Sequence, residues 1–256
     1  MGQIKEVTFL SHNTSGHGIN KIQFLKDKLD LNCVFAIQEN FATNKHQAED
    51  GFDKSKFHLH NTLAIKSRVR KSGRAKKGLQ MGISRQSDIQ SRIFLITDDI
   101  KHRLQVQKLV FDKTYTILWF NIYSPNDRQR QSDSNIELDK ILTRISTLVK
   151  RIKPDDIVIC GDLNWDTKRD NSFTRKMKDW VSLNKLDILW DTQGKGEQFF
   201  THRYKVRGGM TKKNVLDHFL VSKTLTQRVT NCGQIALSTS PEFGHFPIHM
   251  TITLNR

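Results

Sequence analysis

The amino-acid sequence predicts a mixed α/β fold in which two packed sheets are flanked by helices. Predicted strands and helices alternate along the 256 residues, and pairs of strands also follow each other with no helix between them. Neither a Pro/Gly/Ser-rich linker nor an internal repeat divides the chain. Residues 1–256 are therefore expected to form a single domain, a size that one folded unit can reach.

The first half of the chain is predicted to consist mainly of strands. Apolar runs at residues 7–10 and 34–37 are typical of buried strands, and apolar residues at helical spacing over 19–29 indicate a helix between them. Further strands are predicted at residues 79–84, 92–97, 104–111 and 115–122. The segment Tyr115–Tyr123 (YTILWFNIY) is almost entirely apolar, as expected for a strand covered on both faces.

The second half contains the clearest helix. Apolar residues from Leu138 to Ile152 step by three and four, and the sequence Ser-Asn-Ile-Glu at 134–137 fits a capping box at the start of this helix. Pro154 ends it. Later elements are an apolar strand at 157–160, an amphipathic helix at 172–183, and short strands near 198–202, 215–221, 231–237 and 248–254.

The charge balance predicts a polyanionic partner. The chain carries 42 Lys and Arg against 26 Asp and Glu, a formal net charge of +16. Nucleic acid is the expected partner, with an anionic membrane surface or a merely soluble basic protein as alternatives. No apolar run approaches the ~20 residues of a membrane helix, and the first residues lack the apolar core of a secretory signal. The protein is therefore expected to be neither membrane-anchored nor secreted.

The cysteines and histidines do not indicate a metal or disulfide framework. The three cysteines are an odd number with no C-x-x-C pair, which favours a reducing compartment. The closest histidine pairs have no cysteine or third histidine nearby. A zinc site is therefore not expected.

Polar residues recur where the predicted strands end, which is where α/β folds place their chemistry. The set comprises Asn13, Glu39, Tyr123, Asp162, Asn164, Asp217 and His245. Each residue also has an ordinary structural interpretation, such as a helix cap for Asn13 or a surface acid for Glu39. Together, however, the seven contain the groups that phosphodiester hydrolysis requires.

Each requirement of that reaction has a candidate residue. Glu39 is suited to hold a divalent cation against phosphate oxygens, because Mg²⁺ is typically bound through one or two carboxylates and water. Asp162, with the Asn164 amide beside it, is suited to orient and deprotonate the attacking water. An imidazolium at His245, fixed by Asp217, would neutralise charge that develops on the phosphorus.

Five motifs occur in a fixed order along the chain: IQEN, NIYSPND, GDLN, VLDHFLVSK and GHFPI. In this order and spacing they resemble the exonuclease III-like endonuclease/phosphatase superfamily, and most closely the endonuclease domain of LINE-type (non-LTR) retrotransposons. The resemblance covers essentially the whole chain. It implies a four-layer α/β sandwich of two packed mixed or antiparallel sheets flanked by helices.

The resemblance also implies a function. The protein would be a Mg²⁺-dependent DNA endonuclease, with Mn²⁺ as an alternative metal, that nicks double-stranded DNA and leaves a 3′-hydroxyl. In a retrotransposon this hydroxyl primes reverse transcription of the element's RNA at the target in the nucleus. The chain is then expected to be one domain of a longer polyprotein with reverse transcriptase. No small-molecule cofactor is implied.

By the same resemblance all seven strand-end residues are catalytic, and Glu39 is the metal ligand. Asn13 and Asn164 would position the phosphate and the water, and Tyr123 would contact the phosphate. Thr201, in the sequence FFTHRY, matches a position that supports the site and the DNA contact.

One position departs from the pattern of this superfamily. Relatives usually carry an Asp directly before the catalytic His, and here that position is Gly244. His245 keeps Asp217 as its orienting partner, but an additional carboxylate near the metal is missing. We therefore expect weaker metal affinity than in relatives, or partial substitution by Glu242.

Two other functions remain open from the sequence. An abasic-site repair endonuclease is the first, although repair nucleases typically have Gln-Glu-x-Lys after the second strand and a Trp shortly before Leu-Asp-Tyr. Here Phe41 follows at the Lys position and His218 at the Tyr position. The second is a catalytically inactive, basic DNA-binding module of the same fold, which Gly244 favours.

Two basic segments are predicted to contact DNA phosphates. Residues 66–77 carry seven Lys or Arg and residues 203–213 carry five, with no acid in either. The dipeptide Gly208-Gly209 suits the tip of a hairpin, which enters a DNA groove in the retrotransposon relatives. The predicted DNA-binding residues are Thr201, Arg203, Lys205, Arg207, Lys212, Lys213, Arg70, Lys71, Arg74, Lys76 and Lys77. Solvated loops, or a nuclear-import signal in the first segment, are the alternatives.

Overall fold

Two six-stranded sheets form the centre of the structure, and three short strands form a third sheet. The computed structural model describes residues 6–15, 32–50, 52–65, 77–126, 131–194, 199–235 and 244–254. The helix predicted at 19–29 lies outside these residues. The strands are β1 (Glu6–Asn13), β2 (Cys33–Gln38), β3 (Phe57–Thr62), β4 (Leu79–Ser84), β5 (Gln90–Phe94), β6 (Leu104–Phe111), β7 (Tyr115–Tyr123), β8 (Asp156–Asp162), β9 (Leu186–Ile188), β10 (His202–Lys205), β11 (Thr211–Asn214), β12 (Asp217–Ser222), β13 (Val229–Gln234), β14 (Gly244–His245) and β15 (Ile248–Thr253).

The helices of the described residues differ greatly in length. They are α1 (Lys45–Glu49), α2 (Gln131–Ile152), α3 (Ser172–Leu183), α4 (Leu189–Thr192) and α5 (Lys223–Thr226). None of these helices has both the length and the apolar character of a membrane span.

Each large sheet contains one pair of parallel strands near its centre. The strand orders are β13-β15-β1-β2-β4-β3 and β5-β6-β7-β8-β12-β9. In the first sheet β1 runs parallel to β2, with Asn13 opposite Gln38; in the second β7 runs parallel to β8, with Tyr123 opposite Asp162. The other neighbouring pairs in these two sheets are antiparallel. Each parallel pair therefore ends in polar residues at one edge of its sheet.

The two sheets pack face to face around a buried apolar core. Phe9 of the first sheet contacts Trp119 of the second edge to face, with ring centroids 5.8 Å apart. The other face of the second sheet is covered by the apolar stripes of α2 and α3, where Ile141 and Phe173 pack with Phe120. The predicted mixed α/β sandwich of two sheets flanked by helices is confirmed.

The predicted start of the long helix was wrong. Helix α2 begins at Gln131, so Ser134 lies within it and cannot be its N-cap. The Ser134 hydroxyl instead donates to the carbonyl oxygen of Asn126 at 2.9 Å. Glu137 forms ion pairs with other elements of the fold, which compete with the backbone contact that a capping box requires.

A buried network of side-chain amides joins the two sheets close to their polar edge. Gln38 donates to Asn121 at 2.7 Å, and Asn121 donates to Gln105 at 3.1 Å. All three side chains are buried. Because a buried amide without partners is costly, this network fixes β2 against β7 just before Glu39 and Tyr123.

Candidate active site

A cleft of about 220 Å³ lies at the polar edge of the two sheets. Five of the seven residues predicted from strand ends line it, and the other two bond directly to its walls. The lining residues are Glu39, Tyr123, Asn126, Asp162, Asn164, Arg169, His202, Tyr204, Asn214, Leu216 and His245. The structure therefore brings together residues that are separated by more than two hundred positions in the sequence.

Strand direction explains this convergence. Asn13, Tyr123 and Asp162 are each the last residue of their strand, and Glu39 directly follows β2. Asp217 is the first residue of β12, which is antiparallel to β8 and places Asp217 opposite Asp162. The register of the strands thus aligns carboxylates that the sequence places far apart.

The side chain of Asn13 joins two carboxylates. Its amide nitrogen Nδ2 donates to Glu39 Oε2 at 3.0 Å and to Asp162 Oδ2 at 2.7 Å. The Asn13 Oδ1 atom accepts from the backbone N–H of Ser15 at 2.9 Å, which fixes the orientation of the amide. One carboxylate comes from each large sheet, so Asn13 sets the distance between the two halves of the cleft.

His245 and Asp217 form a hydrogen-bonded pair. His245 Nδ1 lies 3.1 and 2.9 Å from the two oxygens of Asp217, and His245 Nε2 lies 3.7 Å from Asp162 Oδ2. Burial alone would lower the pKa of His245, but the carboxylates of Asp217, Asp162 and Glu39 raise it to about 9. The ring is therefore an imidazolium at neutral pH.

Thr201 holds Asp217 in place. The Thr201 hydroxyl accepts the backbone N–H groups of Leu216 and Asp217, each at 2.9 Å, and Thr201 is itself fully buried. The Thr201 carbonyl accepts the N–H of Phe246 at 2.8 Å, next to His245. Thr201 thus fixes the backbone on both sides of the Asp217–His245 pair, and its contact with DNA stays a prediction.

The carboxyl of Asp162 has a pKa close to neutral pH. Burial raises the pKa of its carboxyl to about 7, assisted by the Asp217 charge and opposed by His245, Asn13 and the N–H of Asn164. The Asn164 N–H donates to Asp162 Oδ1 at 2.9 Å. A carboxyl with this pKa can accept a proton from water at physiological pH, which suits a general base.

Asn164 and Tyr123 face the same cleft from the second sheet. Asn164 Nδ2 donates to the carbonyl oxygen of Ser124 at 3.0 Å, and its backbone is left-handed with φ of 47°. Burial and the charges of Glu39 and Asp162 raise the pKa of the Tyr123 phenol, which also hydrogen-bonds Glu39. Tyr123 is therefore a protonated hydrogen-bond donor at the cleft.

The donor set fits a hard divalent cation. Glu39 is half-buried at the cleft and has a left-handed φ of 51°, a conformation that is uncommon for a residue other than glycine. Its carboxylate shares the Asn13 amide donor with Asp162. A second set, Asp162, Asp217 and His245, has one ligand atom each within 4.8 Å. Because both Asp217 oxygens already bond the imidazole, we favour Glu39 as the metal ligand.

Gly244 has a backbone that favours glycine. Its φ is 118°, and no atom lies within 4 Å of the position that a Cβ would occupy. An aspartate at this position would be strained by its backbone although space is available. Glu242, the predicted substitute for the missing carboxylate, lies outside the described residues.

The predicted basic hairpin is present. Strands β10 and β11 pair antiparallel, and Gly208 and Gly209 have φ of 98° and 84° at its tip. Lys205, Arg207, Lys212 and Lys213 are exposed, whereas Arg203 is half-buried against the ring of Phe246. Strand β10 also pairs with β14, with His202 opposite His245, so the hairpin is attached directly to the strand that carries His245.

The second basic segment is largely beyond the described residues. Arg70, Lys71, Arg74 and Lys76 lie outside them, and their DNA contacts stay predictions. Lys77 is described, and its ammonium forms an ion pair with Glu137 at 3.4 Å.

The structure adds cleft residues that the sequence did not single out. The His202 ring stacks on Tyr204 and makes a tilted contact with His245, with ring centroids 5.4 and 4.4 Å away. Arg169 and Asn214 also line the cleft, and Asn214 is paired with His202 in the β10–β11 hairpin. The sequence predicted a strand near 198–202, whereas β10 spans His202–Lys205, and no local pattern indicated that His202 faces His245.

No protein-family profile matches the sequence, and no curated protein matches it. Solved structures do match. The AP endonuclease LMAP from Leishmania major has a TM-score of 0.76 and 13% identity, covering 98% of this chain and 89% of that chain. The endonuclease domain of TRAS1, a telomere-specific non-LTR retrotransposon, has a TM-score of 0.66 and 14% identity, covering 98% of this chain and 100% of that chain. The 3′ phosphatase NExo from Neisseria, bound to a product DNA hairpin, has a TM-score of 0.68 and 13% identity, covering 95% of this chain and 98% of that chain.

These similarities concern the fold. They extend over nearly the whole of this chain and of the matched chains. The chain therefore has the exonuclease III/AP-endonuclease-like fold, as the motif resemblance implied.

Proposed function

We propose that this protein is a divalent-metal-dependent DNA endonuclease that cleaves one strand and leaves a 3′-hydroxyl. The observation that supports this most strongly is the geometry around Asn13, which joins the Glu39 and Asp162 carboxylates beside the Asp217–His245 pair. This is a base, a cation ligand and an imidazolium within one cleft, the combination that phosphodiester hydrolysis requires.

The residues divide the reaction between them. Asp162 orients a water molecule and takes its proton as the water oxygen bonds to phosphorus. The bond from phosphorus to the 3′ oxygen breaks, and that oxygen leaves with the bonding electrons and takes a proton from solvent to become the 3′-hydroxyl. The imidazolium of His245 and the Tyr123 hydroxyl stabilise the charge on the phosphate oxygens. The Asn164 amide positions the water next to Asp162.

Glu39 would hold Mg²⁺ or Mn²⁺ at the cleft. When bound, the cation would neutralise charge on the phosphate and the leaving oxygen. Oxygen donors at a half-buried position, with room for water ligands in the cleft, suit Mg²⁺ better than a closed, fully protein-lined site would.

Double-stranded DNA is the substrate that the charge distribution favours. The net charge is +16, and the basic β10–β11 hairpin adjoins the cleft through β14. Two of the structures that share the fold are named as endonucleases and a third holds a product DNA hairpin.

We further propose that the nick serves target-primed reverse transcription, which would take place in the nucleus with the element's RNA and the rest of a polyprotein. The motif set supports this role. Asn214, which lines the cleft near where repair nucleases carry a Trp, also supports it over abasic-site repair. Repair remains the second candidate, because LMAP is named as an AP endonuclease.

Cleavage of matched oligonucleotides separates these candidates. We expect intact duplexes to be nicked in Mg²⁺ at a rate at least equal to that of duplexes of the same sequence with one abasic site. The Glu39→Gln variant provides the inactive control. Cleavage confined to the abasic duplex would replace the retrotransposon role with repair.

Shortening the hairpin is expected to change where the DNA is cut. Removing residues 206–212 takes away Arg207 and Lys212 and leaves every catalytic side chain in place. With ~5 phosphate contacts the log–log salt dependence of binding has a slope of about −4 to −5, and losing two contacts makes it shallower by roughly 2. Sequencing of 3′ ends on random-sequence plasmid checks the first effect. An unchanged set of cut sites would show that the hairpin does not select the target.

A further inference from the structure

Glu137 receives three hydrogen bonds from two cationic side chains. Arg103 donates through Nε to Oε1 at 2.8 Å and through Nη2 to Oε2 at 2.9 Å, and Lys77 Nζ lies 3.4 Å from Oε1. Only 8% of the Arg103 side chain and 22% of that of Lys77 are exposed. A bidentate ion pair between a guanidinium and a carboxylate is among the stronger and more directional ion pairs in proteins.

Besides Glu137, Arg103 contacts the half of the cleft that the second sheet forms. Its Nη1 atom donates to the carbonyl oxygens of Tyr123 and Ser124 at 3.3 and 3.2 Å. The guanidinium also lies over the Tyr123 ring, 5.1 Å from its centroid. Since the Ser124 carbonyl accepts the Asn164 amide as well, Arg103 contacts the backbone that holds both Tyr123 and Asn164.

Besides Glu137, Lys77 contacts the half of the cleft that the first sheet forms. The carbonyl oxygen of Lys77 accepts the N–H of Phe41, and that of Gly78 accepts the N–H of Asn40, each at 3.3 Å. Asn40 and Phe41 directly follow Glu39. Gly78 approaches this turn so closely that a Cβ there would lie 2.2 Å from Asn40 Oδ1. The segment around Lys77 is therefore packed against the turn that carries Glu39.

We propose that Glu137 is a positioning residue for the active site, which acts through Arg103 on Tyr123 and through Lys77 on Glu39. It joins the two loops that carry the predicted metal ligand and the phosphate contact, although it lies outside the cleft. The inference rests on the proposed endonuclease function for its kinetic consequence, but not for its structural one.

The kinetic test compares Glu137→Gln with Asp139→Asn. Asp139 is a matched control, since it lies on the same helix and also binds a cation, Lys176 Nζ at 2.6 Å, away from the cleft. We expect Glu137→Gln to lower kcat for plasmid nicking about 10- to 100-fold with little change in KM, because misplaced groups lose catalysis more than binding. Asp139→Asn should nick at the wild-type rate. Equal rates for wild type and Glu137→Gln would overturn the proposal.

A double-mutant cycle with Tyr123→Phe separates positioning from general damage. If Glu137 acts in part through Tyr123, its loss costs less in the Tyr123→Phe background than in the wild type. Fully additive losses would contradict action through Tyr123.

Amide hydrogen exchange gives a readout that needs neither metal nor activity. We expect Glu137→Gln to speed exchange at the N–H groups of Asn40, Phe41 and Ser124, and Asp139→Asn to leave these unchanged. Unchanged exchange in Glu137→Gln would overturn the proposal even if nicking fell. If wild type does not nick DNA at all, the proposed function fails, whereas the exchange result still decides this inference.

A second variant covers the case in which Glu137→Gln does not fold. Glu137→Asp keeps the negative charge but is one methylene shorter, so it cannot reach Arg103 and Lys77 in the same geometry. We expect it to fold and to show an intermediate loss of kcat. Wild-type kcat and exchange in Glu137→Asp would contradict the positioning role.

Discussion

Replacing Asp162 by asparagine is expected to lower the rate of DNA nicking by about 10²- to 10⁴-fold, the range typical of a lost general base. Asparagine has nearly the same shape as aspartate but cannot take a proton from water. Single-turnover nicking of a supercoiled plasmid measures the loss. Asp156→Asn is the matched control, because Asp156 is a buried carboxylate at the other end of β8 and bonds Tyr115 at 2.6 Å.

The same Asp162 variant should be more stable than the wild type in the absence of metal. Burial raises the pKa of Asp162 from 3.8 to about 7, so the folded protein holds a proton that the unfolded chain releases between these values. The Asp162 contribution to the stability of the wild type therefore falls as the pH rises from about 4 to 7, and the variant lacks this unfavourable contribution. Urea unfolding in EDTA at pH 4 and pH 7 checks the sign. A less stable variant at pH 7 would show that the carboxylate is structural.

Replacing His245 by alanine is expected to lower nicking by about 10²- to 10³-fold, as found when a group that stabilises developing charge is removed. His249→Gln is the control, because His249 lies on β15, the next strand along the chain, and does not line the cleft. Nicking by His245→Ala at the rate of this control would remove His245 from the mechanism.

The pH dependence identifies the charged form of His245. Its pKa is raised to about 9, so the imidazolium is present below that pH and activity should fall as the pH rises through it. Asp217→Asn removes the nearest negative charge, and the basic limb should then move to lower pH by about 1–3 pH units. Because His245 and Asp162 interact, the acidic and basic limbs of the pH–rate profile report apparent pKa values of the coupled pair, and neither value belongs to one residue alone. A basic limb that does not move in Asp217→Asn would contradict the imidazolium assignment.

Much of the site could be predicted because its residues follow buried strands. The apolar runs before Asn13, Glu39 and Asp162 are local patterns, and a polar residue that ends such a run lies at a sheet edge whatever the rest of the chain does. The structure places these three residues together through one amide.

Residues that depend on long-range register could not be predicted in this way. His202 lies against His245 only because β10 pairs with the two-residue strand β14, which is too short to show any periodicity. Glu137 satisfied a local capping rule, whereas its actual partner, Arg103, is 34 positions away. Local spacing predicts where an isolated helix begins. In the folded protein the ion pair with Arg103 holds the Glu137 carboxylate away from the backbone N–H that a capping box requires.

The most direct test of the account is the chemistry of the ends made on supercoiled plasmid in Mg²⁺ and in EDTA. We predict open circles in Mg²⁺ alone, with ends that a DNA polymerase extends without prior phosphatase treatment. Nicking that persists in EDTA, ends that require a phosphatase, or intact plasmid with every divalent metal tried would each contradict metal-dependent hydrolysis to a 3′-hydroxyl.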